Sequence, residues 1–472
     1  MVTTPDSLID REQEWKLLEE AWASERPELI FVLGRRRVGK SFVLAPFARA
    51  VGGLYYQATR RTEAEQLQAV TRIVADRFDD AALRQTAGFT NWESLFDYLV
   101  EKLGDERFLF VIDELPYLEE SAPAFPSVLQ SVVDHRLRDT RIKLVLSGSH
   151  VTAMKRLEEV DQPLYARRTA RAVFRPFSYV HAAAFVPGYD ARDRLRAYGV
   201  FGGVAGHLSL LSPELPLAAN VQKHVLDPSA RLFDEAQRML DAFLSDAAVH
   251  YSILEAIATG DRTWSGITKR LGKTAGSLSR PMAWLIDMEI VRRDVPITVG
   301  RPSKSKRAIY AITDPYVSFW HRFVSPLVET GVSAVAPPAR IWERRVAPRL
   351  DDYMGEVFEE VCRAAVCERP GLVPFEPSRV GSWWSADSRE QVDVIALSDD
   401  GAMLAAECTW GSVDGGDLAT LARRAKLVAD ELGNVRRTHL ALFTGPGSAD
   451  GAVQRAAETG DAQLYTADDL FR

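Results

Sequence analysis

The chain has 472 residues, 46% of them hydrophobic and 26% charged, so it is too long for one core and about two to four globular domains are expected. A formal charge of -7 excludes general attraction to polyanions, so any nucleic-acid contact must come from a local basic patch. Cys362, Cys367 and Cys408 make no disulfide framework, no Cys/His spacing suits zinc, and no apolar run approaches the roughly 20 residues of a membrane span; a cytoplasmic, reducing setting without membrane is expected.

The polar start, MVTTPDSLIDREQEW, has no secretory-leader core, and residues 8–22 read as a short lead-in and a helix. Leu29 to Leu33 (LIFVL) is a continuous apolar run, the mark of a buried parallel strand. It ends on a glycine-rich turn, and residues 41–51 read as the following helix. Helical patterns run through 62–104 with a break at Gly88. Phe108 to Ile112 (FLFVI) is a second buried strand and Lys143 to Leu146 (KLVL) a third. Strands alternating with helices predict a parallel α/β sheet.

The pattern changes near Pro176. Residues 178–245 read as mainly helical, interrupted at Gly202-Gly203, and 248–312 as three short helices and a hairpin. After Pro337-Pro338 come a helix at 355–366, strands at 380–385, 391–397 and 403–409, a helix at 417–432 and a strand at 438–443.

Residues 34–41 read G-RRRV-GKS, a full match to G-x-x-x-x-G-K-[ST]. Gly34 and Gly39 let the backbone curl so that the N–H groups of Arg35, Arg36, Arg37, Val38, Lys40, Ser41 and Phe42 can face phosphate oxygens at a helix N-terminus. Lys40 is expected on the β- and γ-phosphates of a nucleotide and the Ser41 hydroxyl on Mg²⁺. At the end of FLFVI, Asp113 is the metal-side carboxylate and Glu114 the general base. Ser149, after the third strand, would sense the γ-phosphate. Arg167 and Arg168 follow in PLYARRT, and one of them, Arg168 in this reading, is a candidate arginine finger, within one chain or across the interface of a homo-oligomer, with a structural salt bridge as the alternative.

Together FVLGRRRVGKS, VIDELPYL, LVLSGSH, PLYARRT and YGVFGG resemble the archaeal-type ATPases of the AAA+/STAND group over roughly residues 8–215. The resemblance implies ATP as the nucleotide. It also implies an ASCE-type sheet, with an extra strand between the P-loop strand and the Asp-Glu strand.

Residues 249–312 suit a winged helix-turn-helix, with helices in VHYSILEAIATG, TWSGITKRLG and SLSRPMAWLIDMEIV and a wing over 292–312. Pro281, early in the third helix, is compatible with a first-turn position. From Arg262 to Arg307 eleven basic residues face only Asp287, Glu289 and Asp294, a local charge of about +8 that suggests a DNA face. Arg280, Lys304 and Lys306 are the expected contacts.

The third part carries Glu359 on a helix, Asp393 on a strand (QVDVIAL) and Glu407 on the next (AMLAAECTW). This order is similar to the PD-(D/E)XK nuclease fold, and more closely to the domain of unknown function that accompanies these ATPases, over about residues 315–472. In active nucleases the two strand acids hold a metal and a lysine two residues after the Glu helps to activate water. Here Thr409 stands in that position, and Lys426 on the following helix is the nearby candidate for a lysine that has migrated. Glu359, Asp393 and Glu407 are thus a candidate second metal site, and Trp383-Trp384 reads as core.

The expected fold is α/β: a P-loop NTPase sheet of AAA+/ASCE type over 1–177, a helical lid-like region over 178–245, a winged helix-turn-helix over 246–314 and a PD-(D/E)XK-like domain over 315–472. The expected activity is an ATPase coupling hydrolysis to DNA-associated work. A protein-binding signalling switch and an ATP-dependent nuclease are the alternatives.

Overall fold

A computed structural model describes residues 8–241, 244, 247–369 and 371–472. The expected boundary between 245 and 246 lies outside the described residues. The chain forms two compact units, one from the chain up to Phe177 with Val204–Gly206, the other from Ser178–Gly203 and His207–Arg472.

In the first unit helix α1 (Glu12–Ala23) precedes a five-stranded parallel sheet. Its strands are β1 (Glu28–Leu33), β2 (Leu54–Gln57), β3 (Phe108–Asp113), β4 (Ile142–Gly148) and β5 (Ala170–Val173), in the order β2-β3-β4-β1-β5. Strand β4 therefore lies between the P-loop strand β1 and the Asp-Glu strand β3, the extra-strand arrangement that the resemblance implied. The runs LIFVL and FLFVI are apolar throughout because both faces of the sheet are covered. Leu29, Phe31, Phe108, Phe110, Leu144 and Leu146 face one core. Ile30, Val32, Leu109, Val111 and Val145 face the other, where Trp15 of α1 and Val43, Leu44 and Phe47 of helix α2 (Lys40–Ala50) pack.

That alternation decides where the functional residues go. Side chains along a strand alternate between faces, so Asp113, two beyond Val111, emerges on the α2 face. Glu114 would emerge on the opposite face. It instead adopts a left-handed backbone, φ 57°, which turns the chain into helix α3 (Leu115–Ser121).

In the second unit, helices α4 (Ala248–Ala258), α5 (Trp264–Leu271) and α6 (Ala275–Asp287) precede a hairpin of β6 (Val291–Asp294) and β7 (Ile309–Ile312). Thr263 caps α5 by accepting from the Gly266 N–H at 3.0 Å, and Thr274 caps α6 by accepting from Ser277. The Thr274 cap starts α6 two residues before Ser277, so Pro281 lies inside the helix and not in its first turn, a correction to the sequence reading.

Helix α7 (Ala347–Glu368) is longer than the expected 355–366. It packs on a sheet ordered β12-β11-β10-β9-β8, with β8 (Arg379–Trp384), β9 (Gln391–Leu397), β10 (Ala402–Thr409), β11 (Arg437–Thr444) and β12 (Gln463–Thr466). Helix α8 (Gly415–Leu432) joins β10 to β11, which run parallel. Trp383 and Trp384 are both buried.

The hairpin is fastened to this sheet. The Ile297 N–H donates to the Ser382 carbonyl at 2.9 Å, and Arg379 donates back to the Ile297 carbonyl at 2.6 Å. Ile297 is a member of the sheet's own hydrophobic core. Arg307 donates to the Trp384 carbonyl, and the Trp384 indole N–H donates to the Arg307 carbonyl at 3.1 Å. Glu431 accepts from Thr298, Arg307 and the Trp383 indole.

Candidate functional site

The loop between β1 and α2 has the backbone its sequence demands. Gly39 sits at φ 102° and Arg37 at φ 65°. A Cβ on Gly34 would lie 2.6 Å from the Phe174 carbonyl oxygen, so only glycine lets β5 approach there. Val38 is buried, Arg35 half-buried, and Arg36 and Arg37 are exposed. Phe42, one residue beyond Ser41, leaves 58% of its surface open.

Lys40 is buried and its Nζ donates to the Gly34 carbonyl at 2.7 Å and the Arg35 carbonyl at 3.1 Å. Burial lowers its pKa, against the pull of Glu114 and Asp113. The Ser41 hydroxyl donates to Asp113 Oδ2 at 2.7 Å. Asp113 is fully buried and its Oδ1 accepts from the Glu114 N–H at 2.9 Å. Glu114 Oε2 accepts from both Ser149 groups, the hydroxyl at 2.7 Å and the N–H at 3.2 Å. Lys40, Ser41, Asp113, Glu114 and Ser149 thus converge.

The residues fit a nucleotide with Mg²⁺. A hydroxyl and a carboxylate in contact are the usual oxygen donors for that hard cation, and a buried ammonium beside a glycine-bounded loop at a helix N-terminus suits phosphate. Ser147 Oγ, on the strand next to Asp113, is buried with no hydrogen-bond partner among the described residues.

Three contributors were not legible in the sequence. Tyr55 of β2 donates its phenol to Asp113 Oδ2 beside Ser41, and burial followed by the Asp113 charge raises its pKa. Arg11, buried between the rings of Phe174 and Phe177, donates to the carbonyls of Val38 at 3.1 Å and Arg175 at 2.7 Å. It ties the P-loop to the end of β5. Tyr117 of α3 accepts a hydrogen bond from Arg36. A tyrosine in a four-residue edge strand and a lone N-terminal arginine give no periodic signal.

Arg168 is held by Glu158, and Arg167 makes two bonds of 2.8 Å to Asp134. The candidate fingers are therefore both engaged as ion pairs.

In the second unit Cys408 N donates to Asp393 Oδ2 at 2.9 Å. Burial, then the Asp393 charge, pushes Glu359 up to about 8 and Glu407 up to about 7. Among the described residues no group of three His, Cys, Asp or Glu side chains is arranged to hold a metal ion. The basic residue at Glu407 is Arg424, at 3.4 Å, which also donates to Glu390 at 2.9 Å. Lys426 lies two residues on and so about 200° around the helix, on the exposed side, so the basic residue beside Glu407 is Arg424 and not the candidate lysine.

These carboxyls give a pH prediction. A carboxyl held above its ordinary range stabilises the fold while protonated. That contribution is complete below about pH 4.3, the ordinary Glu value. It is lost as the pH rises through about 7 for Glu407 and about 8 for Glu359. Asp393→Asn removes a shared cause of both shifts, so the fall in melting temperature between about pH 5 and 8.5 should flatten. An unchanged slope contradicts this.

Of the eleven basic residues between 262 and 307, five are engaged within the unit. Arg292 bonds Asp294 and Glu360, Arg270 pairs with Asp261 and Glu255, and Arg307 pairs with Glu431. Arg293 bonds the carbonyls of Pro302 and Ser305, and the Arg262 charge acts on Glu359. Lys269, Lys273, Arg280, Arg301, Lys304 and Lys306 are exposed and carry no ion pair among the described residues.

Residues 8–211 match a family described as "ATPase domain predominantly from Archaea". Residues 320–421 match one described as "Archaea bacterial proteins of unknown function". An uncharacterised protein of Methanocaldococcus jannaschii is 28% identical over 431 residues, 89% of this chain and 92% of that protein. Among solved structures, a Walker-type ATPase of Pyrococcus abyssi is 20% identical, with a TM-score of 0.49 over 68% of this chain and 97% of that one. The Aeropyrum pernix ORC2 protein in its ADPNP-ADP complexes is 14% identical, with a TM-score of 0.42 over 70% and 97%. Both scores are too low to establish a common fold. The family match supports an archaeal-type P-loop ATPase domain in the first unit. Among the described residues no helix is long and apolar enough to cross a membrane.

Proposed function

We propose that the first unit binds ATP with Mg²⁺ and hydrolyses it, and that the chain couples this turnover to work on DNA contacted by the second unit. The observation that carries the ATPase reading is the Ser41–Asp113 bond of 2.7 Å with Glu114 anchored one residue further on. Bound ATP supplies the phosphoanhydride and Mg²⁺ neutralises its charge. Lys40 adds positive charge at the phosphates, while Ser41 and Asp113 hold the cation and Tyr55 and the Glu114 N–H orient Asp113. Glu114 takes a proton from the attacking water. Its Oε2 is fixed by Ser149, and Oε1 has no hydrogen-bond partner among the described residues, so one oxygen anchors the carboxylate and the other remains a base.

Lys40→Ala tests this reading. A charge-assisted contact is worth about 1.5–3 kcal/mol, so ATP affinity should fall about ten- to hundredfold by titration with a fluorescent nucleotide. Affinity and turnover equal to wild type would refute the assignment.

For the second unit we read α4–α6 and the β6–β7 hairpin as a winged helix-turn-helix. Its DNA face is formed by Lys269, Lys273 and Arg280 and by the wing tip at Arg301, Lys304 and Lys306. We read the last part as a PD-(D/E)XK-like scaffold without cleavage. Thr409 supplies no charge, Arg424 is already shared between Glu407 and Glu390, and the three acids are not grouped for metal. The internal engagement of five basic residues favours one alternative, a switch whose second unit binds protein.

A further inference from the structure

We propose that Arg36, held by Tyr117, is the arginine that stabilises the charge of the phosphoryl group during hydrolysis, within the same chain. The proposal rests on the ATPase reading above. It starts from a vacancy in the expected machinery: Arg168 is bound to Glu158 and Arg167 to Asp134. A guanidinium that must meet developing phosphate charge cannot also be neutralised by a carboxylate.

Arg36 has the opposite character. It lies in the phosphate loop four residues before Lys40, it is exposed, and it has no acidic partner among the described residues. Its contact is neutral: a guanidinium N–H donates to the Tyr117 hydroxyl. That bond orients the fork without reducing its charge, and a planar fork suits phosphate oxygens better than an ammonium does. Arg60 lies over the same Tyr117 ring, 5.3 Å from its centre, so the ring is held from a second side.

Tyr117 also connects Arg36 to the base. The Tyr117 N–H donates to the Glu114 carbonyl at 3.0 Å, within the turn opened by Glu114's left-handed backbone. The arginine and the carboxylate are thus attached to one short piece of chain. The field of Arg36 also reaches His150, one residue beyond Ser149, where it lowers the imidazole pKa after the larger effects of burial and Arg156. His150 accepts from the Ala153 N–H at 3.1 Å through Nδ1, which keeps the imidazole neutral and adds no competing positive charge.

The test compares binding of ADP alone with ADP plus aluminium fluoride, a mimic of the phosphoryl group in transit, with single-turnover hydrolysis measured in parallel. In the wild type aluminium fluoride should tighten ADP binding. In Arg36→Ala that tightening should disappear while ADP affinity stays within about threefold, and turnover should fall by on the order of a hundredfold or more. Arg36→Lys should restore little, because an ammonium lacks the fork. Tyr117→Phe should lose part of the tightening. Thermal midpoints close to wild type would separate these effects from misfolding.

If Arg36→Ala keeps both the tightening and the turnover, or if Arg168→Ala alone abolishes them, this proposal is wrong and the ATPase reading stands. A folded wild-type chain without any tightening or turnover refutes both.

Discussion

Glu114→Gln should reduce ATP turnover by about 10²- to 10⁴-fold while leaving nucleotide affinity near wild type. The amide has the size of the carboxylate, and its oxygen can still accept from the Ser149 hydroxyl and N–H now bonded to Oε2. What it loses is basicity, so the difference reports proton transfer and not position. Single-turnover hydrolysis read beside a nucleotide titration checks it. Parallel losses of affinity and turnover would mean that Glu114 supports the loop and is not the base, and wild-type turnover would remove it from the chemistry altogether.

The second large effect is on DNA. Each phosphate contact releases counterions, and log affinity falls with log salt by about 0.9 per contact on a duplex. Contacts from the six cations without an ion pair among the described residues, Lys269, Lys273, Arg280, Arg301, Lys304 and Lys306, would give a slope of about -5, or about a thousandfold loss between 50 and 200 mM salt. All eleven basic residues would give roughly -10. A duplex titration across a salt series separates the two. A slope near -10 would show that the internal ion pairs of Arg292 and Arg307 open on binding. Absent binding, or binding indifferent to salt, would favour a protein partner. Replacing Lys304 and Lys306 by Ala should lower the slope by about two.

Much of the fold is legible in the sequence because its long elements are strongly patterned. LIFVL and FLFVI can only be buried strands, and G-RRRV-GKS places a helix after the first. The short strands β2, β5 and β12 are not legible: four residues such as LYYQ are too few to show a period. The first turns of α7 are missed although Pro348 in its first turn is a helix-start signal. At the site, the convergence of Lys40, Ser41 and Asp113 follows from motif and strand alternation, whereas Glu114 is placed by its left-handed backbone. The bond from Ser149 to Glu114 does not follow from either, since it depends on a left-handed residue that no pattern announces. Nor does the choice of Arg424 over Lys426, which turns on the phase of one helix. The charge count found the basic region but could not separate side chains used internally from those left for a partner.

The strap at Ile297 has a practical consequence for anyone dissecting the protein. The matched segment of unknown function runs from 320 to 421, yet the folded sheet needs more than that. A fragment cut at those limits loses β11, the parallel neighbour of β10, and strips the strap from the free edge of β8. Both losses expose unpaired backbone along hydrophobic strands, the surface on which chains stick to one another. Such a fragment should precipitate whatever its activity, and the smallest piece worth expressing begins ahead of the hairpin and runs through β12. The strap also ties distant side chains together: Thr298 and Arg307 both bond Glu431, so a change at Glu431 disturbs the hairpin and the sheet at once.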